Sequence, residues 1–382
     1  MSLNNNILNK KVEHNIIEEI KKLSSISKKE SYNSLNENDA NFIFSDSGKK
    51  IKIDKNNFYD VFFEKKNMQE KTKNKKIAFI DGGSCEILKS NLLAVYFYRI
   101  YYTIYENNKR IKNNFFEFYS YIYPIIKYEQ DEKKIIEKEN VFFKCEIFYL
   151  NENKKILGLN KNFLFDGFDK KISMNNKITD VGLIGNIIRR FAELNIIKEI
   201  EADYVVLDGS FDINYPHEEE IIKELIEKNK NKKIIFGLSK TNSFSTEKGI
   251  SFSYYIDVLA RSLEKKTFLY FLDNNDFFNV FFIKTNEKSD YSFRLDLLNC
   301  EKENLSDFLK EIFFLLRENS KDPVFLGYPY GLIEADMFAR ISNKEKEQIM
   351  IRFLSLFGNE GKDIKKIVSL SRTHDVLDKI RF

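Results

Sequence analysis

Two short stretches of the sequence share one pattern, IAFIDGGS at residues 77–84 and VVLDGS at residues 205–210. In each stretch, a continuous apolar run stops at an aspartate that is followed by glycine and then by a small residue. A run that is apolar at every position is typical of a β-strand covered on both faces. Glycine lets the backbone turn where a side chain would obstruct it. The pattern therefore predicts two buried strands, ending at Asp81 and Asp208.

These two aspartates define a candidate site. If the two strands are parallel neighbours, their terminal carboxylates meet, and two carboxylates held close together repel unless a proton or a metal lies between them. A divalent metal site that serves phosphoryl transfer is therefore the first hypothesis. A simple Asp-Gly turn after a strand is the alternative. It is the commoner explanation of a single copy, and the repetition of the pattern makes it weaker.

A third carboxylate is expected because a hard cation such as Mg²⁺ or Mn²⁺ takes oxygen ligands. Glu193 lies fifteen residues before Asp208, on a helix predicted over residues 182–200, with Arg189 one turn away. A surface ion pair between Glu193 and Arg189 is the simpler interpretation. Spacing alone does not separate Glu193 from other acids nearby, which are Glu199, Glu201 and Asp203.

A fourth candidate lies in GYPYGLIEADMFAR, residues 327–340, which predicts a turn followed by a helix. Glu334 and Asp336 are ~200° apart around a helix, so both cannot face one site. Asp336 and Arg340 are four residues apart and share a face. A plain intrahelical ion pair and a metal-ligating Asp336 beside a phosphate-contacting Arg340 both remain open.

Composition limits the other function classes. The chain has 382 residues, 43% of them hydrophobic, and a net charge of +4 that does not indicate a polyanion partner. The cysteines, Cys85, Cys145 and Cys300, are too far apart to indicate a zinc cluster or a disulfide framework. The three histidines are scattered, and no Walker A motif is present. No apolar segment is long enough to span a bilayer. These features predict a soluble, cytoplasmic protein.

The order of predicted elements favours an α/β fold. Residues 1–75 are predicted as a helical N-terminal extension, with a loop at about 26–50. Residues 76–382 are predicted as one domain with an insertion around 106–178, and the part from 106 to 140 is compatible with a helix. Strands dominate the first half of this domain and helix–strand alternation follows, which is typical of a mixed sheet.

Four segments in order, IAFIDGGS, YVVLDGS, IIFGLSKT and GYPYGLIEADMFARIS, span residues 77 to 342. In these segments the chain resembles the NurA nuclease family, which works beside the HerA hexameric ATPase. The resemblance implies an RNase H-like mixed sheet flanked by helices. It also implies Mn²⁺- or Mg²⁺-dependent cleavage of single-stranded DNA, 5′-to-3′ resection of duplex ends, and a homodimer that docks on the HerA ring.

The resemblance also assigns roles to residues. It implies a set of catalytic metal ligands, which are Asp81, Glu193, Asp208 and Asp336. Some family members have histidine at the last of these positions, and an aspartate there still ligates a hard cation. Tyr328 and Tyr330 match the family's tyrosines near that position, and Tyr330 is a weaker candidate for a catalytic contact. Lys240, in the SKT motif, and Arg340 are candidates for contact with DNA phosphates.

Two other functions stay open at this stage. The aspartate at position 336 leaves room for a catalytically inactive adaptor that clamps DNA or regulates a HerA-like motor. A nuclease directed at RNA would differ from the first hypothesis only in its substrate.

Overall fold

The structure is a computed structural model. It describes residues 17, 18, 21 and 42–356, apart from positions 46–47, 62, 91–92, 130–137, 152–153, 157, 160–161, 174–176, 230–231, 247–248 and 300–304. Most of the predicted N-terminal helical extension lies outside the described residues, as do His14, Cys300 and His374. Residues 17, 18 and 21 are helical.

The described strands fall into a large sheet and a small one. They are β1 Phe42–Phe44, β2 Lys50–Lys52, β3 Phe58–Tyr59, β4 Lys76–Lys89, β5 Ala94–Glu106, β6 Lys109–Glu129, β7 Lys138–Tyr149, β8 Asn162–Asp166, β9 Tyr204–Asp208, β10 Ile234–Ser239, β11 Ser245–Thr246, β12 Phe268–Asn274, β13 Phe278–Lys284 and β14 Phe293–Leu298.

The helices pack on both sides of the large sheet. They are α1 Lys65–Lys71, α2 Val181–Ile196, α3 Glu218–Asn229, α4 Phe252–Ser262, α5 Leu305–Asn319, α6 Tyr330–Ala339 and α7 Asn343–Ser355. Among the described residues, none of these helices has the length and apolarity that crossing a bilayer requires.

The large sheet has eleven strands in the order β3-β12-β13-β14-β10-β9-β4-β5-β6-β7-β8. At its centre, β4 and β10 both run parallel to β9, whereas β5 and β6 continue from β4 by antiparallel pairing. The segment β6-β5-β4-β9-β10, with helices α2 and α3 in the crossovers, is an RNase H-like arrangement. The predicted α/β fold with an RNase H-like mixed sheet is therefore confirmed.

The apolar runs of the central strands are covered on both faces because each face packs against a different set of helices. Ala78 and Ile80 of β4 belong to the core cluster that contains residues of α2, α3 and α4. Ile77 and Phe79 point the other way, into the cluster that contains residues of α5 and Leu332 of α6. Alternate residues of a strand point to opposite faces, so a strand buried on both sides has no polar face.

Three local expectations were wrong. β4 does not end at Asp81 but continues to Lys89 beside β5. Residues 109–129 form strand β6 instead of a helix, because Asn107 and Asn108 make a tight hairpin between β5 and β6. Both asparagines have positive φ, 50° and 59°, which short polar side chains tolerate and which suits a two-residue hairpin. The expected loop at about 26–50 contains β1, which pairs with β2 and β11.

Candidate active site

The central strands bring the two predicted aspartates side by side. β4 and β9 are parallel neighbours, as expected, and Ile80 pairs with Leu207. Asp81 and Asp208 are the next residue on each strand. Side chains alternate between faces, so both carboxylates lie on the face of Phe79 and Val206, which is the face covered by α5 and α6.

The glycines of the two Asp-Gly motifs have different roles. Gly209 has φ +128°, so it turns the chain after β9 as the sequence predicted. Gly82 and Gly83 instead lie within strand β4. A Cβ atom at Gly82 would lie 2.5 Å from Glu193 Oε1, and one at Gly83 would lie 2.0 Å from the carbonyl oxygen of Ala339. These two glycines therefore let helices α2 and α6 approach the strand closely.

Glu193 reaches the site through the space that Gly82 leaves. Its side chain is on α2, on the opposite face of the sheet from Asp81, and only 2% of the residue is exposed. Arg189 Nη1 donates to Glu193 Oε1 and to the carbonyl oxygen of Gly82, both at 2.8 Å. The interpretation as a surface ion pair is therefore wrong, because the pair is packed against the strand that carries Asp81.

Two of the rival acids of this region, Asp203 and Glu201, are placed elsewhere. Asp203 precedes β9, and it accepts hydrogen bonds from the backbone nitrogen of Lys76 at 2.8 Å and from Lys75 Nζ at 3.2 Å. Since Lys76 begins β4, this contact lies at the opposite end of the strand pair from Asp81 and Asp208. Glu201 is exposed.

Three carboxylates therefore share one partly buried region, and their electrostatics reflect it. Burial, followed by the charges of Glu193 and Asp208, raises the pKa of Asp81 to about 8, although the Gly82 amide and Arg189 oppose this shift. Burial also raises the pKa of Glu193, against the opposing charge of Arg189. Like charges in a low-dielectric environment favour the protonated form or a bound cation.

Asp208 is held by two donors. Lys240 Nζ, just after β10, donates to Asp208 Oδ2 at 2.7 Å, and the Tyr328 hydroxyl donates to Oδ1 at 3.0 Å. The Lys240 ammonium also lies 5.0 Å from the centre of the Tyr328 ring. Tyr328 is fully buried, and burial together with the charge of Asp208 raises the pKa of its hydroxyl well above the ordinary value. The hydroxyl therefore remains a donor to Asp208 at neutral pH.

The remaining sequence candidates lie at the edge of this cluster. Asp336 is half-exposed, and its Oδ2 accepts a hydrogen bond from Arg340 Nη2 at 2.6 Å, which is the intrahelical pair considered above. Its charge contributes to the raised pKa of Tyr328. Tyr330 begins α6 and is 39% exposed. Of the two tyrosines in this segment, Tyr328 is therefore the one whose hydroxyl contacts an acid of the site.

Glu334 has a separate, structural environment. It is 2% exposed and accepts hydrogen bonds from the hydroxyls of Tyr101 at 2.8 Å and Tyr105 at 2.5 Å, and from Arg110 Nη1 at 2.9 Å. Glu334 and Asp336 thus face different surroundings, as their spacing on a helix predicts.

The sequence candidates did not include Arg189, and of the two tyrosines near the last ligand position they favoured Tyr330 over Tyr328. Tyr328 lies two residues before Tyr330 on the other side of Pro329, and only the packing of this segment decides which ring turns inward. Arg189 was visible only as a helical neighbour of Glu193. The spacing of four residues was the available signal, but it did not show that both side chains are buried against β4.

The three carboxylates provide the type of ligand atom that a hard divalent cation prefers. Carboxylate oxygens are preferred ligands of Mn²⁺ and Mg²⁺, and a cation would relieve the repulsion that raises the pKa of Asp81. Within the described part of the chain, no three His, Cys, Asp or Glu side chains lie at the spacing of a formed metal site. A cation shared by these acids would therefore require their carboxylates to move closer together.

The family is decided by a match along most of the chain. The NurA domain matches residues 75–341. The chain belongs to the NurA family. The resemblance inferred from four segments is therefore confirmed, and it covers the central sheet, α2 and α6. Membership of the NurA family supports a nuclease function.

Solved structures provide further similarities. The chain is similar to the NurA nuclease from Sulfolobus solfataricus, with 14% identity, a TM-score of 0.46, and coverage of 81% of this chain and 89% of that one. For the catalytic domain of human endonuclease V, the identity is 7%, the TM-score 0.32 and the coverage 69% and 80%. For Marinitoga piezophila Argonaute with a guide RNA, these values are 13%, 0.28, 74% and 32%. No curated protein sequence matches the chain significantly.

The close approach at Gly82 leads to a test of how Glu193 is positioned. In Gly82→Ala, the new Cβ would meet Glu193 Oε1 at 2.5 Å, so the carboxylate must move. We expect nuclease activity to fall by about 10²-fold, since displacement of about 1 Å has such effects on catalysis. Gly83→Ala should instead lower the melting temperature, because its Cβ would meet backbone at 2.0 Å. Equal activity of wild type and Gly82→Ala would contradict this role of the glycine.

Proposed function

We propose that this NurA-family protein is a metal-dependent deoxyribonuclease that hydrolyses phosphodiester bonds at Asp81, Glu193 and Asp208. One observation carries the proposal. Acids from two adjacent strands and from a helix on the opposite face converge so closely that burial and mutual repulsion raise the pKa of Asp81 to about 8. Strongly perturbed carboxylates in a cluster are typical of catalytic and metal-binding sites.

The cofactor we propose is Mn²⁺ or Mg²⁺, held by Asp81, Glu193 and Asp208, with Asp336 as a further ligand from α6. A divalent cation bound to these oxygens would supply Lewis-acid activation of water and of the phosphodiester. Asp336 is already within electrostatic range of Tyr328, which contacts Asp208. Its carboxylate is half-exposed and is paired with the exposed Arg340 at the end of α6.

The neighbouring side chains have distinct roles in this proposal. Arg189 fixes Glu193 against the carbonyl oxygen of Gly82, so the glutamate keeps its position while the charge of the site changes. Lys240 lies on Asp208 and is 41% exposed on its side chain, so its ammonium can move to a phosphate oxygen. Transfer of Lys240 from carboxylate to phosphate would place a positive charge where negative charge develops in the reaction.

The finer parts of the proposal rest on the family alone. They comprise endonuclease and 5′-to-3′ exonuclease action on single strands and duplex ends, DNA end resection with a HerA-type ATPase, and a homodimer. Arg340, 70% exposed on its side chain at the end of α6, is the proposed contact with the DNA backbone beside the site. Tyr330, exposed at the start of the same helix, stays a candidate for contact with the substrate.

One observation favours the adaptor as a second candidate. Both oxygens of Asp208 are occupied by Lys240 and Tyr328, so this arrangement neutralises the acid without a metal. In an adaptor the arrangement would be permanent, and DNA would bind without being cut.

Cleavage assays with four labelled substrates test both candidates. Single-stranded DNA, duplex DNA, RNA and an RNA–DNA hybrid are incubated with Mn²⁺, Mg²⁺ or EDTA. A metal-dependent nuclease is expected to cut DNA only with a divalent cation, and calorimetry should show Mn²⁺ binding that Asp81→Asn weakens. If DNA binds but stays intact, and no carboxylate-dependent Mn²⁺ binding is measured, the adaptor is the correct function.

The hydroxyl of Tyr328 provides a finer test of the site. Tyr328→Phe removes the donor to Asp208 Oδ1 and leaves the buried ring in place. We expect cleavage to slow by about 10-fold, because Asp208 loses one of the two groups that orient it, and a hydrogen bond to a charged group contributes about 1.5–3 kcal/mol. Tyr330→Phe should have the smaller effect. If Tyr330→Phe slowed steady-state cleavage more than Tyr328→Phe did, Tyr330 would be the tyrosine that makes the catalytic contact.

A further inference from the structure

A cavity adjoins the candidate active site on the side of Lys240. It has a volume of about 760 Å³ and lies between the loop after β10, helix α4 and the loop before β14. Lys240, which holds Asp208, is one of its lining residues. The volume is in the range of sites that bind small organic groups, about 300–1,000 Å³. The cavity therefore shares Lys240 with the candidate active site, while Asp81, Glu193 and Asp208 are not among its lining residues.

Two exposed tyrosines line this cavity. Tyr254 on α4 is 40% exposed, and Tyr291 in the loop before β14 is 56% exposed. The Tyr291 ring stacks on Phe325, with ring centres 5.4 Å apart and an angle of 21° between the planes. One face of the ring is thus supported by protein. Aromatic rings presented in this way are platforms for unpaired bases, and stacking tolerates any base.

The polar groups of the cavity suit a base more than a second phosphate. Asp257 in the lining is paired with Lys284 Nζ and with Arg261, each at 2.5 Å, so its charge is compensated. Asn242 Nδ2 donates to Ser253 Oγ at 2.7 Å, whereas Asn242 Oδ1 is buried without a hydrogen-bond partner. An unpaired buried acceptor costs free energy. Every nucleobase carries an N–H donor that could satisfy it after a small rotation of the amide.

We propose that this cavity binds unpaired nucleotides of a DNA strand next to the scissile phosphate, with bases stacked on Tyr254 and Tyr291. The inference rests on the proposed nuclease function and adds the place where the bases next to the cut are held, because stacking on these rings requires bases that are not paired in a duplex. Lys240 joins the two regions, since it contacts Asp208 and lines the cavity. Single strands and frayed ends are then bound better than closed duplex.

The test combines ring removal with base removal. Tyr254→Ala and Tyr291→Ala are each expected to raise the KM for single-stranded DNA by roughly 5- to 100-fold with a smaller change in kcat. Tyr254→Phe and Tyr291→Phe should stay near wild type, because stacking needs the ring and not the hydroxyl. Tyr121→Ala serves as the matched control, since Tyr121 is an exposed tyrosine of β6 outside the cavity.

A scan with single abasic nucleotides then locates the bases. The scan uses the cleavage-deficient Asp81→Asn variant, and an abasic nucleotide at one or two positions of the strand should weaken its binding to this protein. When Tyr254→Ala and Tyr291→Ala are added, the abasic nucleotide should cause no further loss of affinity. The subsite would be overturned if the variant with Tyr254→Ala and Tyr291→Ala bound the strand as tightly as the Asp81→Asn parent. It would also be overturned if an abasic nucleotide still weakened binding after both rings were removed. If the wild type cuts no DNA although the rings still govern binding, the nuclease proposal fails and the subsite stands.

Discussion

Asp81→Asn is expected to abolish cleavage, with a loss on the order of 10³-fold or more. Asp81 interacts electrostatically with both other acids, since the charges of Glu193 and Asp208 raise its pKa. Asparagine keeps the size of the side chain and removes the anionic oxygen that a cation needs as a ligand. Initial rates on labelled single-stranded DNA with Mn²⁺ measure the effect.

The control for Asp81→Asn is the same chemical change at Asp203. That aspartate lies near β4 and β9 but at the other end of the strand pair, where it bonds to the backbone of Lys76. Asp203→Asn should keep its nuclease activity. Measurable Mn²⁺-dependent cleavage by purified, folded Asp81→Asn protein at rates near wild type would remove Asp81 from the mechanism.

The same substitution has a predicted effect on stability. The folded-state pKa of Asp81, about 8, is above its ordinary value of 3.8. Between about pH 4 and pH 8, the folded protein therefore holds a proton that the unfolded chain releases, so this group makes the free energy of unfolding fall as pH rises through that window. Asp81→Asn lacks this contribution. In metal-free buffer, the stability of the variant relative to wild type should rise from pH 4 to pH 8, as measured by urea denaturation.

Glu193→Gln is expected to have the second large effect, again about 10³-fold on cleavage. The glutamine fits the space beside Gly82 and can still accept from Arg189, but it contributes no charge to a cation site. Because burial already raises the pKa of Glu193, a neutral side chain should not unfold the protein. Circular dichroism and a cleavage assay on the same preparation separate the two outcomes.

Glu334→Gln is the matched variant for this experiment. Both glutamates are 2% exposed and both are hydrogen-bonded to an arginine. Glu334 contacts Tyr101, Tyr105 and Arg110, and although Tyr101 lies opposite Asp81 in the pairing of β4 and β5, its hydroxyl donates to Glu334. Its substitution should lower stability by about 1–3 kcal/mol and preserve most of the activity. If instead Glu334→Gln abolished cleavage and Glu193→Gln did not, the assignment of the third acid would be wrong.

Local sequence patterns predicted the structure well where a strand and its functional side chain lie in the same short segment. The apolar runs before Asp81 and Asp208 predicted strands buried on both faces, and the structure contains them as β4 and β9. The helix predicted before Asp208 is α2, and the NurA resemblance was read from motifs of the same kind. These features depend on residues near each other in sequence, so composition and spacing were sufficient to find them.

Local pattern failed where a residue's role depends on what packs over it. Gly82 was read as a turn, but it is part of a strand and its missing side chain admits Glu193. A surface pair was the simpler reading of Glu193, because nothing in the helical spacing shows which face of α2 meets the sheet. Tyr330 was preferred to Tyr328 for the same reason, since the orientation of two rings around Pro329 is set by the core beneath them.

The sequence by itself determined that two aspartates follow buried strands, that the chain has a mixed α/β sheet, and that it belongs with the NurA proteins. Only the tertiary structure decided that the strands are parallel neighbours in register, that Glu193 and not Asp203 joins the pair, and that Tyr328 and Lys240 hold Asp208. The physical reason is that strand order and helix packing arise from contacts between distant segments. A carboxylate's pKa, burial and partners depend on those contacts and not on its neighbours along the chain.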